Sequence, residues 1–188
     1  LENGTMGWRL AGFELERGAR RRVSPVSEGA CDWARQAAAD VARRFKVSTI
    51  SRDELKRLRT DKARTLYVLD VRDAREFAAG HMPGSRSTPG GQLVQATDVY
   101  VGTRNARLVL VDDTEARAMM TASWLVQMGW PEVSVLAGGI GADGLETGPH
   151  AAPCPEAEAV TIDTVPVSGL ESMIADGTTL VGDFADSR

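Results

Sequence analysis

The chain repeats itself at long range, and that repeat limits its fold more than any single motif does. Thr49-Ile50-Ser51 returns as Thr161-Ile162-Asp163. Leu55, Leu58 and Asp61 return as Leu170, Met173 and Asp176. Val68-Leu69-Asp70-Val71-Arg72-Asp73-Ala74-Arg75 returns as Val181-Gly182-Asp183-Phe184-Ala185-Asp186-Ser187-Arg188, and the three offsets are 112, 115 and 113 residues. A second echo links Leu1-Glu2-Asn3-Gly4 and Leu15-Glu16-Arg17-Gly18 with Leu136-Ala137-Gly138-Gly139 and Leu145-Glu146-Thr147-Gly148. A unit of roughly 110 residues can bury its own core, so the repeat is a domain and not a solenoid turn. The expected division is the tail of one unit over 1–29, a linker helix over 30–46 and a complete unit over 47–150. A linker over 151–159 and the truncated start of a third unit over 160–188 follow. The opening Leu1-Glu2-Asn3-Gly4 reads as the start of a fragment, with no signal or transit peptide.

Within 47–150 the elements alternate. Val47–Ile50 is a short strand candidate. Ser51-Arg52-Asp53-Glu54 is a capping box that opens a helix running to about residue 59. Leu66–Val71 and Leu108–Val111 are apolar runs of strand length, as buried parallel strands require. Ala74–Ala79 is a short helix closed by Gly80, with a turn at Pro83-Gly84. Arg117–Met128 is a helix with Met120, Trp124 and Met128 on one stripe and Gly129 at its end, and Val133–Leu136 is a further strand. Ahead of these, residues 30–45 form an amphipathic helix with Trp33, Ala37, Val41 and Phe45 on one face, placed to link units or cover the preceding one. The alternation is that of an α/β fold, a parallel sheet flanked by helices on both faces.

Composition excludes several classes. At 43% hydrophobic and 26% charged, the 188 residues have the balance of a globular protein. No apolar run reaches the roughly 18 residues of a membrane span. Net charge is −4, unevenly spread: residues 1–60 carry +5, 61–150 carry −3 and 151–188 carry −6. Arg20-Arg21-Arg22 lacks interleaved aromatics, so it reads as a solvated linker and no nucleic acid is expected. Two cysteines, Cys31 and Cys154, make no disulfide framework, which favours a reducing, cytoplasmic compartment.

The stretch from Asp70 to Ser85 carries the strongest motif. Asp70, Arg72, Glu76, Phe77, Gly80, His81, Pro83 and Gly84 stand at the fixed places of D-x-R-x-x-x-E-F/Y-x-x-G-H-I-P-G-A. This pattern resembles the rhodanese family of sulfurtransferases, and Val133-Ser134-Val135-Leu136-Ala137-Gly138-Gly139 is similar to that family's closing V-x-x-L-x-G-G. These are scaffold positions. Asp70, ending a strand, can tie down backbone N–H groups or an arginine. Glu76 is placed to pair with Arg72 four residues earlier, and His81 reads as a hydrogen-bonded structural histidine.

In the resembled family, the strand before the working loop ends in a nucleophilic cysteine within C-x-x-G-x-R. The backbone N–H groups there form an anion cradle that lowers the thiol's pKa and holds the persulfide. Here Leu108-Val109-Leu110-Val111 ends in Asp112-Asp113-Thr114-Glu115-Ala116-Arg117. The arginine is kept, Asp112 stands at the cysteine position and Glu115 at the glycine position. No cysteine lies between residues 32 and 153, so no shift of register restores one. Three carboxylates at this loop would repel an anionic sulfur donor, and an Asp112–Arg117 pair would hold it shut. Related phosphatases space cysteine and arginine one residue further apart than the four residues between Asp112 and Arg117, and they too need the thiol.

Gly139-Ile140-Gly141-Ala142-Asp143-Gly144 matches G-x-G-x-x-G after a strand, but Thr147-Gly148-Pro149 follows where a dinucleotide site needs a helix, so no cofactor is expected. Cys31, His81, His150 and Cys154 lack metal-ligand spacing. Neither cysteine follows a strand as the nucleophile would. Three readings stay open: a silent rhodanese-like module with structural or regulatory duties toward neighbouring units of the same chain; a sulfurtransferase, acting on thiosulfate, whose activity lies in other domains; and a small-anion or partner-binding module using the Asp112–Arg117 loop.

Overall fold

Alternating apolar residues from three central strands face opposite ways, and this sets the layering. In the computed structural model, residues 3–18, 26–150, 163–177 and 179–182 are described. They fall in two units, Leu1–His150 and Ala151–Arg188. Arg20-Arg21-Arg22, Cys154, Thr161-Ile162 and the last six residues of the repeat lie outside the described residues.

In the first unit the elements run α1 (Gly4–Leu10), α2 (Glu28–Arg44), β1 (Ser48–Ile50), α3 (Arg52–Thr60), β2 (Leu66–Asp70), α4 (Ala74–Ala79), β3 (Arg86–Ser87), α5 (Gly90–Gln95), α6 (Thr97–Tyr100), β4 (Arg107–Val111), α7 (Ala116–Gln127) and β5 (Val133–Leu136). The five strands form one parallel sheet in the order β1-β5-β4-β2-β3. Leu108 and Leu110 of β4 join Leu69, Val133 and Val135 with Ala118, Ala122 and Leu125 of α7 on one face. Val109 and Val111 point the other way, to Val68, Leu136 and Leu55 of α3. Burial on both faces explains why β4, and β2 up to its terminal Asp70, read as apolar runs.

Caps fix where the helices start. Ser51 accepts the N–H of Glu54 and opens α3. Asp73 accepts the N–H groups of Arg75 and Glu76, while Glu76 accepts the N–H of Asp73, a reciprocal capping box for α4.

Two amphipathic faces differ from expectation. In α2 the buried residues are Ala38 and Ala42, which lie against α7, while Trp33 is 74% exposed. Two closely packed helices admit small residues at their contact, so alanines rather than the large side chains mark the buried side. The same holds for α7, where Ala118, Thr121, Ala122 and Leu125 are buried and Met120, Trp124 and Met128 face outward. The two-residue β3 and the short α5 and α6 carry no periodic signal, and none was expected from the pattern.

The second unit contains α8 (Val167–Ala175), which has no buried residue.

Candidate functional site

The loop after β4 begins at Asp112, at the C-terminal edge of the central strand, where a parallel sheet presents its working loops. Its backbone is held from the β5 side, since the Asp112 carbonyl accepts the N–H of Ile140 at 2.9 Å. Gly139 makes that approach possible. A Cβ there would stand 2.6 Å from the Asp112 oxygen and 2.9 Å from the Asp113 oxygen, and its φ is +60°.

The Asp112 side chain is fully buried and turns back into its own loop. Oδ1 accepts the N–H of Glu115 at 2.6 Å, and Oδ2 accepts the N–H of Arg117 at 3.0 Å and the hydroxyl of Thr114 at 3.4 Å. Two N–H donors at the start of α7, those of Glu115 and Arg117, are therefore occupied by the loop's own carboxylate. Burial pushes the Asp112 pKa up, against the two N–H donors that pull it down, and nearby Asp113 adds to the rise.

Glu115 takes a left-handed backbone, φ 67°, at the place where the family pattern has glycine. Its side chain offsets part of that strain, because Oε1 accepts the N–H of Gly138 at 3.0 Å and ties the loop to the turn after β5. Ala116 starts α7.

Arg117 is engaged differently from the expected pair. Its Nε lies 3.9 Å from Asp112 Oδ2, whereas the guanidinium donates to both oxygens of Glu76, at 2.7 and 3.0 Å, and to Asp113 at 2.9 Å. What Asp112 receives is mainly the Arg117 backbone. Glu76 holds the Arg117 pKa high, and Arg117 in turn holds the Glu76 carboxyl below its ordinary value.

The Arg72–Glu76 pair expected from spacing does not form. Arg72 precedes the cap of α4, so the two are not in helical register. Arg72 instead donates from Nε and Nη2 to Asp70, at 2.9 and 2.6 Å, and from Nη2 to the Gly80 carbonyl at 2.6 Å. Asp70 also accepts the Arg72 N–H at 3.1 Å, as a strand-ending carboxylate should. The pair is almost fully enclosed. His81 is buried, its Nδ1 2.9 Å from the Phe77 carbonyl and its ring stacked on Phe77 with centroids 3.7 Å apart. Pro83 and Gly84 lie in the turn closed by Ser85 N–H to the Met82 carbonyl, with Gly84 at φ 70°. The motif thus acts through Glu76 on the loop, and its other members brace one another.

Cys31 lies within α2 and is half-buried, and Cys154 is outside the described residues. Gly141 sits against the Arg52 guanidinium, which donates to the Gly139 carbonyl at 2.8 Å, and no helix follows Gly144 among the described residues up to 150. Among the described residues no group of three or more His, Cys, Asp or Glu could hold a metal ion, and no helix is long and apolar enough to cross a membrane.

The family model for the rhodanese-like domain matches residues 51–142. A thiosulfate sulfurtransferase from Pseudomonas aeruginosa is similar in structure, with 47% sequence identity and a TM-score of 0.72. That match covers 92% of this chain and 32% of the other, so the chain spans about a third of that protein's length. A protein of unknown function from Rhodopseudomonas palustris, described as a possible tyrosine phosphatase, aligns at 19% identity with a TM-score of 0.47, over 66% of this chain and 92% of its own. No curated protein matches the chain.

Proposed function

This chain belongs to the rhodanese-like sulfurtransferase family, and on that premise we propose that its complete unit is a catalytically silent module of a longer, tandem sulfurtransferase. The carrying observation is that the Asp112 carboxylate, which the sequence pattern sets at the nucleophile's position, takes the N–H groups of Glu115 and Arg117 for itself. A carboxylate oxygen cannot accept and release a sulfane sulfur as a thiolate does. The loop is also closed by its own residues, through Glu115 to Gly138 and through Arg117 to Glu76 and Asp113. A small-anion site has against it that the best-placed donors are already taken and that Asp113 and Glu115 surround them.

The long-range repeat and the one-third coverage of a homologous sulfurtransferase support the tandem arrangement. Sulfur transfer, with thiosulfate as donor, then belongs to units that keep the cysteine, and a reducing, cytoplasmic setting suits a chain with two scattered cysteines.

The test is a thiosulfate:cyanide sulfurtransferase assay on the 188-residue chain. Thiocyanate formation at the buffer rate is expected. Turnover well above buffer, abolished by Asp112→Ala, would overturn the silent-module reading.

A further inference from the structure

We infer that the outward face of α7 is a docking surface for another rhodanese-like unit of the same longer polypeptide. Met120, Trp124 and Met128 are 41%, 54% and 50% exposed along one side of this helix. From Ala118 through Pro131 there is no charged residue at all. A helix that meets only water on its outer side carries charges there, and an uncharged stripe of Met and Trp has the composition of an interface centre.

The stripe continues into a cavity of about 560 Å³ whose lining includes Met128, Trp130, Pro131, Val94 and Val101. Its charged lining residues are Asp98 and Arg104, both exposed. Gln95, Thr97 and Asn105 also line it, and an apolar stripe bordered by such a partly polar cavity is the anatomy of a specific protein contact.

The occupant follows from the chain's own organisation. The long-range repeat makes further units of this fold the most abundant neighbours, and the similar sulfurtransferase carries about two thirds of its length beyond the part this chain matches. The inference rests on the tandem reading above, and is independent of whether the Asp112 loop is silent. If the reading frame encodes these 188 residues alone, the tandem reading fails and this one with it. If the frame is longer, only the following measurement decides.

Pulsed oxidative labelling is applied to the 188-residue chain and to the longer polypeptide, with buried Met82 as internal reference. In the short chain Met120 and Met128 are expected to oxidise much faster than Met82. In the longer polypeptide they fall to the Met82 rate. Trp124→Glu in the longer polypeptide is expected to restore fast oxidation of both methionines while far-ultraviolet circular dichroism stays unchanged. Equal fast rates in both proteins overturn the inference. Slow rates already present in the short chain, together with sedimentation as a dimer, overturn it in favour of a second copy.

Discussion

Glu76 receives both terminal nitrogens of Arg117, at 2.7 and 3.0 Å, and so joins the Asp70–Ser85 motif to the helix that follows the candidate loop. The geometry is a two-pronged fork, the strongest form of a carboxylate–guanidinium contact. Both side chains are over a third exposed, so solvent screening limits its worth. A double-mutant cycle with Glu76→Gln and Arg117→Lys is expected to give a coupling of about 0.5–1 kcal/mol from urea midpoints. A coupling near zero would mean that the contact contributes only orientation.

The two carboxylates of the site shift oppositely, and this gives a signed pH dependence. Arg117 depresses the folded pKa of Glu76. Its stabilising contribution is complete above the ordinary carboxylate value and is lost as pH falls through the depressed one. Burial raises Asp112. Its folded form keeps a proton to higher pH than the unfolded chain does, so stability declines as pH rises from the ordinary Asp value through the raised one. Glu76→Gln should therefore flatten the acid loss of stability, and Asp112→Asn should remove the decline on the alkaline side of it. Urea midpoints recorded across acidic pH for the three proteins check both slopes.

Gly139 is a close backbone-to-backbone approach in the site. Gly139→Ala combines a left-handed backbone with a Cβ 2.6 Å from the Asp112 carbonyl oxygen. A loss of about 2 kcal/mol or more is expected, with a lowered urea midpoint. The control is Gly144→Ala, whose φ is similar, +68°, but whose Cβ meets nothing within 4 Å. It should cost about 1 kcal/mol, the backbone strain alone.

If the module is silent as proposed, sulfur-transfer chemistry should require two changes. Asp112→Cys supplies a thiol, but Glu115 would still be strained and tied to Gly138. Adding Glu115→Gly frees the loop. The double variant is expected to gain one sulfur atom by mass on treatment with thiosulfate: the thiolate bonds the outer sulfur, the sulfur–sulfur bond of thiosulfate breaks, and sulfite leaves with the electron pair. Cyanide should then remove that sulfur as thiocyanate. The single Asp112→Cys variant should label more slowly. A folded double variant that gains no sulfur would show that residue 112 does not stand where the nucleophile stands.

What could be read beforehand follows from where local signals dominate. β2 and β4 were legible because burial on both faces leaves runs dominated by apolar residues, and α4 because Gly80 closes it, although its reciprocal cap by Asp73 and Glu76 was not read. The site loop was legible as Asp112 to Arg117 because strand and helix bracket it. Arg117's choice of Glu76 over Asp112 was not, since it depends on a contact between segments far apart in sequence. Nor were the buried sides of α2 and α7, because large apolar side chains suggest burial and here the alanines carry it. β3, held by two residue pairs to β2, is too short for any periodic pattern.

After β5 the chain does not leave the sheet directly. His81 and Glu146 exchange backbone hydrogen bonds at 2.8 and 2.9 Å, and the Gly148 N–H reaches the Ala78 carbonyl at 2.9 Å. Between β5 and residue 150 the chain is therefore tied a second time, to α4 and to the turn after it, at a place separate from the β5 ladder. A disturbance at the exit of this unit meets those three amide bonds before it meets the sheet.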